Sequence, residues 1–461
     1  MDSLENSPRG KFPASIGILF AVALGAHLAA VIQWTFGEGV AGAGLFLLGQ
    51  TILAFGLLRL INGAWVFQDI RVFFVLFFFL YGGTLPLWLA WSGSHIAGVG
   101  GAAFLYGTGL LGFNLVQWWY KEPWRDLSPE VFARTRPSFL NAFLLLLAVA
   151  LVVLYAQARG VQLAFRIDRG YTQVLGTQLW VVSMFVMNGL TMFMFVGWSN
   201  MKWQTRLVCV IAITIFVMFH ISLGNRRDFL PMFIFLAAVF ATRRRAVIRL
   251  WTLVAGLFAF AALTLIGIVR QVLREPSLLM RNPAELFVST SEFFTPIQTL
   301  IHYVNVERPL LWGWTYLSAP SLFIPRAIWA DKPEGLSLQF LRDAYGTTAM
   351  MGYAYTPVTE AFVNFGWVGP LVFFSIISLL MVKLVRHADV HPGVYLICFS
   401  YVVDFNRGDF GTTAYSLIFV GAGYATMQLF SRLRWSSRSP RATTLQRPGA
   451  LASANRAALT S

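Results

Sequence analysis

The chain has 461 residues, of which 57% are hydrophobic and only 12% are charged, and its formal net charge is +15. A soluble domain carries about twice that charged fraction, so the composition excludes an ordinary soluble protein. Apolar runs of about 20 residues recur along the chain, which is the length that crosses a bilayer as a helix. The sequence therefore predicts an all-α polytopic integral membrane protein.

Twelve transmembrane helices are predicted in chain order, nine within residues 14–270 and three within 366–430. Residues 1–13 precede them, and 431–461 form a basic tail, rich in Ser and Pro, that we expect to be disordered. The first apolar run lacks a small-residue cleavage site, so we interpret it as an anchor and not as a removable signal peptide. The predicted spans are 14–34, 38–58, 72–92, 97–119, 138–158, 176–198, 207–223, 229–242, 250–269, 366–384, 393–403 and 411–430.

Lys and Arg are distributed unevenly between the predicted loops. If the N-terminus is cytoplasmic, 22 basic and 7 acidic residues face the cytoplasm, and 13 of each face the outside. The whole net charge then lies on the cytoplasmic side, as the positive-inside rule requires. Both termini are therefore predicted to be cytoplasmic, and the basic charge indicates membrane topology, not nucleic-acid binding.

Several kinds of site are not visible in the sequence. Cys209 and Cys398 both fall in predicted spans, so we expect neither a disulfide framework nor a cysteine metal site. The chain has no GxxxxGK[ST] loop for a nucleotide and no HExxH for zinc. It also has no DxD, and the first outer loop holds only Glu38, which disfavours metal-dependent glycosyltransferases acting on lipid phosphates. We expect no metal and no cofactor.

One predicted loop is long, at 95 residues, and runs from 271 to 365 on the outer side. A loop of that length is usually functional. "NPAE" at 282–285 and "TP" at 356–357 predict helix starts, and Gly346 predicts the end of the helix in "LSLQFLRDAYG". The loop has six basic and eight acidic residues, so an anion site there must use particular arginines, such as Arg326.

Two predicted spans are short, and each ends at charged residues on the outer side. The span 229–242 offers 14 apolar residues, or about 21 Å against about 30 Å of hydrocarbon. "GNRRD", with Arg226 and Arg227, precedes it, and "DFNRGD", with Arg407, follows the span 393–403. Interrupted spans and charges at membrane depth are typical of binding sites. We therefore predict a wet cavity that opens outward.

These charges have two interpretations. In the structural one, Arg226 pairs with Asp228, and Arg407 pairs with Asp404 or Asp409, as ion pairs between packed helices. In the functional one, the arginines bind an anionic lipid head, because the guanidinium fork matches phosphate oxygens. A diphosphate leaving group would then be stabilised by Arg without a metal.

Three motifs carry a resemblance to a known family. "GNRRDFL", "PRAIWADKP" and "TEAFVNFGWVGP" resemble elements of the Wzy-type oligosaccharide repeat-unit polymerases, which make O-antigen and exopolysaccharide. The family's G-x-R element matches 224–227, its P-R…K-P stretch matches 325–333, and its E-x-x-x-NFG-x-x-G element matches 360–369. The resemblance covers the topology and residues 220–385, whereas the first 200 residues match only in hydropathy.

The resemblance implies a metal-independent, GT-C-like glycosyltransferase of the bacterial inner membrane. Such an enzyme transfers the growing glycan from undecaprenyl diphosphate to a new undecaprenyl-diphosphate-linked repeat unit on the periplasmic face. The partners it implies are that lipid-linked oligosaccharide, membrane lipid and a chain-length regulator protein. The alternatives are an O-antigen ligase, which shares the long outer loop, and a flippase or transporter of lipid-linked oligosaccharides.

Seven residues are predicted to form the site. Glu360 and His302 are the catalytic candidates, although Glu360 is equally suited to bind a sugar hydroxyl, and a single His on an apolar helix is often structural. For Lys332, in the turn "DKPEG", the alternative is a side chain that is simply exposed to solvent. The segment 364–366 is expected to form the turn into the tenth span. The candidates for binding the diphosphate are Arg226, Arg227, Arg326, Lys332 and Arg407.

Overall fold

The structure is a computed structural model, and it describes most of the helical part of the chain. Arg226, Arg227, Arg326, the "NPAE" signal and nearly all of the predicted span 250–269 lie outside the described residues. Every regular element with assigned bounds is helical. The described residues are 14–36, 39–66, 68–93, 95–125, 127, 132, 135–158, 177–222, 230–244, 269, 272, 294–324, 328–346 and 354–436.

The helices of the first half of the chain are mostly long. They are α1 (Ala14–Phe36), α2 (Gly39–Asn62), α3 (Ile70–Ser92), α4 (Val99–Tyr120), α5 (Phe139–Ala158), α6 (Thr177–Val196), α7 (Trp203–Ser222) and α8 (Leu230–Arg244). A short 3-10 helix, Trp198–Asn200, lies between α6 and α7.

In the second half, six of the described helices are short and two, α13 and α16, are long. They are α9 (Pro296–Val304), α10 (Trp314–Ser318), α11 (Leu336–Tyr345), α12 (Pro357–Phe365), α13 (Gly369–Arg386), α14 (Pro392–Ser400), α15 (Val402–Arg407) and α16 (Phe410–Ser436). Two more 3-10 helices occur here, Ala319–Phe323 and Gly366–Val368. The helix start predicted at "TP" is confirmed, because Thr356 caps the N-terminus of α12. The helix end predicted at Gly346 is also confirmed, because Gly346 caps the C-terminus of α11 with φ 63°.

Seven helices in the described part of the chain are long and apolar enough to cross a membrane: α1 to α5, α7, and the continuous run Pro357–Arg386. The prediction of an all-α, multi-pass membrane protein is thus confirmed, whereas the count of twelve spans stays a prediction. The helices α6 and α8 contribute shorter apolar stretches, Ser183–Val196 and Leu230–Thr242. The eleventh predicted span divides into α14 and α15 at Tyr401, so its break lies before Asp404 and not at it.

The long helices pack around two apolar cores. The larger core lies between α2, α3, α4 and α13, where rings of Phe74, Phe78, Phe113 and Phe374 contact one another. The smaller core joins α5, α6 and α7, and α16 packs along α6. Small residues allow these close approaches: a Cβ at Gly112 of α4 would collide with a backbone carbonyl of α13.

A buried ion pair holds α3, α4 and α13 together at one end of the bundle. Arg71, at the start of α3, has no exposed surface and binds Asp69 at 2.6 Å. Its guanidinium also donates to Gln117 Oε1, near the end of α4, at 3.0 Å, and to the carbonyl of Glu122 at 2.8 Å. Arg386, the last residue of α13, donates to Glu122 Oε2 at 2.8 Å. The start of α3 and the ends of α4 and α13 therefore meet at this end.

The long loop lies at the opposite end. Asn305, which follows α9, donates to the carbonyl of Ala97, just before α4 begins, at 2.8 Å. The start of α16 contacts α12 at this same end. Because α16 has 27 residues, it is about 40 Å long and can reach past the other side of a bilayer.

This arrangement leads to a topology prediction. A reporter fused near Trp312 should read periplasmic, and one fused after Ser431 should read cytoplasmic, because α16 connects the two ends. Paired alkaline phosphatase and fluorescent-protein fusions at both positions would measure this. The same side for both would contradict the fold, since the loop and the chain terminus would then share one face.

Candidate functional site

The four predicted site residues that the structure describes lie in two neighbouring places. Lys332, in the turn before α11, lines a polar cleft on the long loop, and His302, on α9, lies beside that cleft. Glu360, in the first turn of α12, and Arg407, at the end of α15, lie where these helices meet α16. The three remaining predicted arginines lie outside the described residues, so their role stays a prediction.

The polar cleft is open to solvent and has a volume of about 510 Å³. Three basic side chains, three acidic side chains and one amide line it. Pockets for drug-like ligands are mostly apolar, so this cleft suits a hydrated polar ligand instead. The lining residues are Arg308, Ala330, Asp331, Lys332, Glu334, Gln339, Arg342 and Asp343.

The charges in the polar cleft are largely paired with one another. Arg342 binds Glu334 at 2.6 Å, and Arg308 binds Asp343 at 3.5 Å. The cleft therefore has no formal excess of either charge, and it presents guanidinium donors beside carboxylate acceptors. A sugar hydroxyl both donates and accepts hydrogen bonds, so this pattern matches a carbohydrate better than a polyanion.

An aromatic core supports the wall of the polar cleft. The Tyr303 hydroxyl donates to Asp343 at 3.2 Å, and the Arg308 guanidinium lies 4.6 Å from the centre of the Tyr303 ring. Burial, together with the negative charge of Asp343, raises the pKa of Tyr303 to about 12, so the hydroxyl remains a donor. Tyr303, Phe340 and Val363 belong to one small core that joins α9, α11 and α12. The cleft is therefore held against α12.

His302 lies beside the polar cleft but does not line it. Burial lowers the pKa of His302 below its ordinary value of 6.5; the positive charge of Arg308 acts in the same direction and Asp343 opposes it. The imidazole is therefore neutral at neutral pH and can accept a proton, as a general base must. Its ring packs edge-on against Phe340 at 5.5 Å, which also fits the structural alternative.

Lys332 connects the polar cleft to the helix bundle. Its side chain is buried, so the alternative of an exposed lysine in a turn is wrong. The ammonium group donates to the carbonyl of Ile324 at 2.8 Å and to that of Ser321 at 3.5 Å. Both carbonyls belong to the end of the 3-10 helix Ala319–Phe323, which packs on α16. One rim of the cleft is thus fixed to the helix that starts beside Arg407.

Glu360 is fully buried at the start of α12. Thr356 caps this helix by accepting the N–H of Thr359 at 3.2 Å. One oxygen of the Glu360 carboxylate accepts the Thr315 hydroxyl at 2.7 Å, and the other accepts the backbone N–H of Phe410 at 2.7 Å. The carboxylate therefore joins α10 and the start of α16 to α12, and we call this meeting point the Glu360 junction.

Asn364, one turn further along α12, completes this junction. Its amide nitrogen donates to Thr315 Oγ1 at 2.7 Å and to the carbonyl of Glu360 at 2.7 Å. Its amide oxygen accepts the N–H of Gly313 at 2.9 Å. Gly366 ends α12 with φ 65°, so only this residue of the predicted turn 364–366 lies outside the helix. Asn364 orients the 311–315 segment as well as packing in the junction.

Arg407 lies just before the start of α16. It ends α15, a six-residue helix that packs on α3, and its side chain is partly buried. Asp409 caps α16 by accepting the N–H of Thr412 at 2.7 Å and its hydroxyl at 2.9 Å. Since Glu360 accepts the N–H of Phe410, two carboxylates meet the positive end of the α16 dipole. The backbone that follows Arg407 is therefore held by Glu360 and by Asp409.

Most residues of the polar cleft are not singled out by the sequence alone. A signal was present, because five of the thirteen residues from 331 to 343 are charged, in a chain that is 12% charged overall. Gln339, Arg342 and Asp343 are also spaced to share one face of α11. The missing information was that Arg308, more than twenty residues earlier, faces them.

Searches with this chain against protein-family models, curated proteins and solved structures returned no match. A function for the chain must therefore be inferred from the chemistry of the polar cleft and of the Glu360 junction.

Proposed function

We propose that this chain is a metal-independent, GT-C-like glycosyltransferase with twelve spans, and that it polymerises lipid-linked oligosaccharide repeat units on the outer face of the bacterial inner membrane. The observation that supports the proposal most is the electroneutral polar cleft, which is joined through α12 to one end of an apolar helix bundle. A polyprenyl-linked oligosaccharide has both chemistries, a hydroxyl-rich head and an apolar tail.

The proposed reaction assigns tasks to the polar cleft, to His302 and to three arginines. A hydroxyl of the acceptor repeat unit, bound in the polar cleft, attacks the anomeric carbon of the donor glycan. The bond from that carbon to undecaprenyl diphosphate breaks, and the diphosphate leaves with the electron pair. His302, neutral at neutral pH, is the candidate that takes the hydroxyl proton, directly or through water. Arg226, Arg227 and Arg407 stabilise the leaving diphosphate.

Deletion of the gene separates this proposal from its alternatives. We expect single lipid-linked repeat units on the outer leaflet, where an added glycosidase cuts them, and no long polymer. Loss of a flippase would instead strand the units inside, protected from the glycosidase, and that result would rule the polymerase out. Loss of a ligase would leave long chains on undecaprenyl diphosphate, which gel mobility distinguishes.

Variants in the deletion strain test the polar cleft itself. Gln339→Ala and Arg342→Ala should each lower polymer yield about tenfold, because a lost hydrogen bond to the acceptor sugar is worth about 1.4 kcal/mol. Arg342 is more than half exposed, so its removal should not reduce membrane protein level. Arg125→Ala is the matched control: its guanidinium is 60% exposed at the opposite end of the bundle. Wild-type yield in both cleft variants would contradict sugar binding there.

A further inference from the structure

An apolar turn on the long loop is exposed. Trp312, Trp314 and Leu317 expose 75%, 58% and 74% of their surface. Three large apolar side chains this close together form a patch that water solvates poorly, and such patches mark interaction surfaces. We call residues 310–317 the tryptophan turn.

The tryptophan turn is continuous with the lipid-facing side of α13. Val372, Ile376 and Leu380 are each about half exposed, and their spacing of four places them on one face of this membrane-spanning helix. The same face continues before α13 with Val368, and Trp367 beside it is 50% exposed. An apolar stripe thus runs from the middle of the span to its outer end.

Contacts place the tryptophan turn next to the outer end of this stripe. A Cβ on Gly313 would lie 3.3 Å from the ring of Phe365, and one on Gly366 would lie 3.7 Å from the Leu310 side chain. The N–H of Leu311 donates to the carbonyl of Val363 at 3.0 Å. The turn therefore packs against the residues that lead directly into α13.

The exposure of Trp312 is imposed by the fold. Its φ of 49° lies in the left-handed region, which among the described non-glycine residues only Lys121 shares. Asn364 holds this conformation, because its carbonyl accepts the N–H of Trp312 at 3.0 Å and its side chain accepts the N–H of Gly313 at 2.9 Å. Asn364 is itself buried and bound to Thr315. The turn is thus presented outward by the Glu360 junction.

We propose that the tryptophan turn inserts into the headgroup region of the outer leaflet, as an extension of the lipid-facing stripe of α13. Tryptophan favours this region of a bilayer, since its ring is apolar and its indole N–H can bind water or headgroups. The continuity with a membrane-spanning surface favours lipid over the other occupant of exposed aromatic rings, a stacked sugar. The bilayer surface would then lie beside the Glu360 junction, at the depth where a lipid diphosphate carries its charge.

Spin labels in lipid nanodiscs test this insertion. In a background of Cys209→Ala and Cys398→Ala, single variants Trp312→Cys and Leu317→Cys would carry a nitroxide, in nanodiscs of phosphatidylethanolamine and phosphatidylglycerol. The measurement is the relative accessibility of the label to oxygen, which concentrates in lipid, and to a polar nickel complex, which stays in water. Matched controls are Val372→Cys on the lipid-facing stripe and Tyr345→Cys, exposed at the end of α11.

We expect both labels on the tryptophan turn to favour oxygen severalfold over the Tyr345 control and to approach the Val372 control. The Leu317 label keeps the test decisive if the left-handed backbone at Trp312 does not tolerate cysteine. Water-like ratios at every labelled position of the turn would overturn the insertion and would leave sugar stacking as the use of these rings. The result does not depend on glycosyltransferase activity, so failure of the function proposal is distinguished from failure of this one.

Discussion

Alanine in place of Arg226 or Arg227 is expected to abolish polymer while the protein still accumulates in the membrane. Loss of one charge-assisted contact to the leaving diphosphate should cost about 3 kcal/mol, or a rate loss of about 100-fold. Polymer yield on gels and membrane protein level on blots would measure the two effects separately. Arg→Lys at the same positions should restore polymer only in part, because Lys keeps the charge but loses the two-pronged geometry.

The structural interpretation of these arginines makes a different prediction. If Arg226 or Arg227 only pairs with Asp228, then Asp228→Ala should be as damaging as the arginine change, since it leaves a charge unpaired at membrane depth. Removing both partners together should then restore polymer, and that recovery would defeat the diphosphate assignment. Arg244→Ala, at the opposite end of α8, is the matched control and should leave polymer at its wild-type level.

Features that depend on local chemistry could be predicted from the sequence. Thr356 and the proline after it predict the start of α12, and Gly346 predicts the end of α11, because caps and left-handed glycines act within one helical turn. The long apolar runs likewise predicted α1 to α5, since bilayer thickness sets their length. The break of the eleventh span was misplaced, because α15 packs on α3 and stays helical through Asp404 and Arg407.

Features that depend on distant residues could not be predicted in this way. The hydroxyl and the N–H that bind Glu360 come from Thr315 and Phe410, which are 45 and 50 residues away in the chain. The polar cleft depends on Arg308 meeting α11. The sequence shows that a carboxylate stands near a helix start, but its neighbours decide whether that carboxylate reaches a substrate or holds helices together.

Glu360→Ala is expected to lower both the stability of the protein and polymer yield. The change empties a fully buried site and leaves the Thr315 hydroxyl and the Phe410 N–H without their acceptor. Each unsatisfied buried donor costs about 1–3 kcal/mol, and the lost volume adds to this. The midpoint of thermal unfolding in detergent, followed by size-exclusion chromatography, should fall by several degrees, and less folded protein should reach the membrane.

Thr315→Val tests the hydrogen bonds of the Thr315 hydroxyl while Glu360 itself is kept. It removes the donor to Glu360 and keeps the Glu360 carboxyl group and its bond to Phe410. The Asn364 amide loses one acceptor, Thr315 Oγ1, and keeps the other, the carbonyl of Glu360. If Glu360 acts by holding α10 and α16 against α12, this variant should lower the unfolding midpoint by a smaller amount and lower polymer yield in proportion. If Glu360 removes a proton from the acceptor sugar, Thr315→Val should leave polymer nearly unchanged, because the carboxylate is still present.

Glu360→Gln then separates the two roles of this residue. The glutamine oxygen can accept the N–H of Phe410, and its amide can donate to Thr315 Oγ1, so the junction should stay assembled. We expect this variant to fold like the wild type and to retain polymer within about tenfold, because both oxygens of Glu360 are already engaged by the protein. A loss of polymer of about 100-fold or more, at an unchanged unfolding midpoint, would instead assign proton transfer to Glu360. The junction would then have to open during the reaction, since the carboxylate has no exposed surface in this structure.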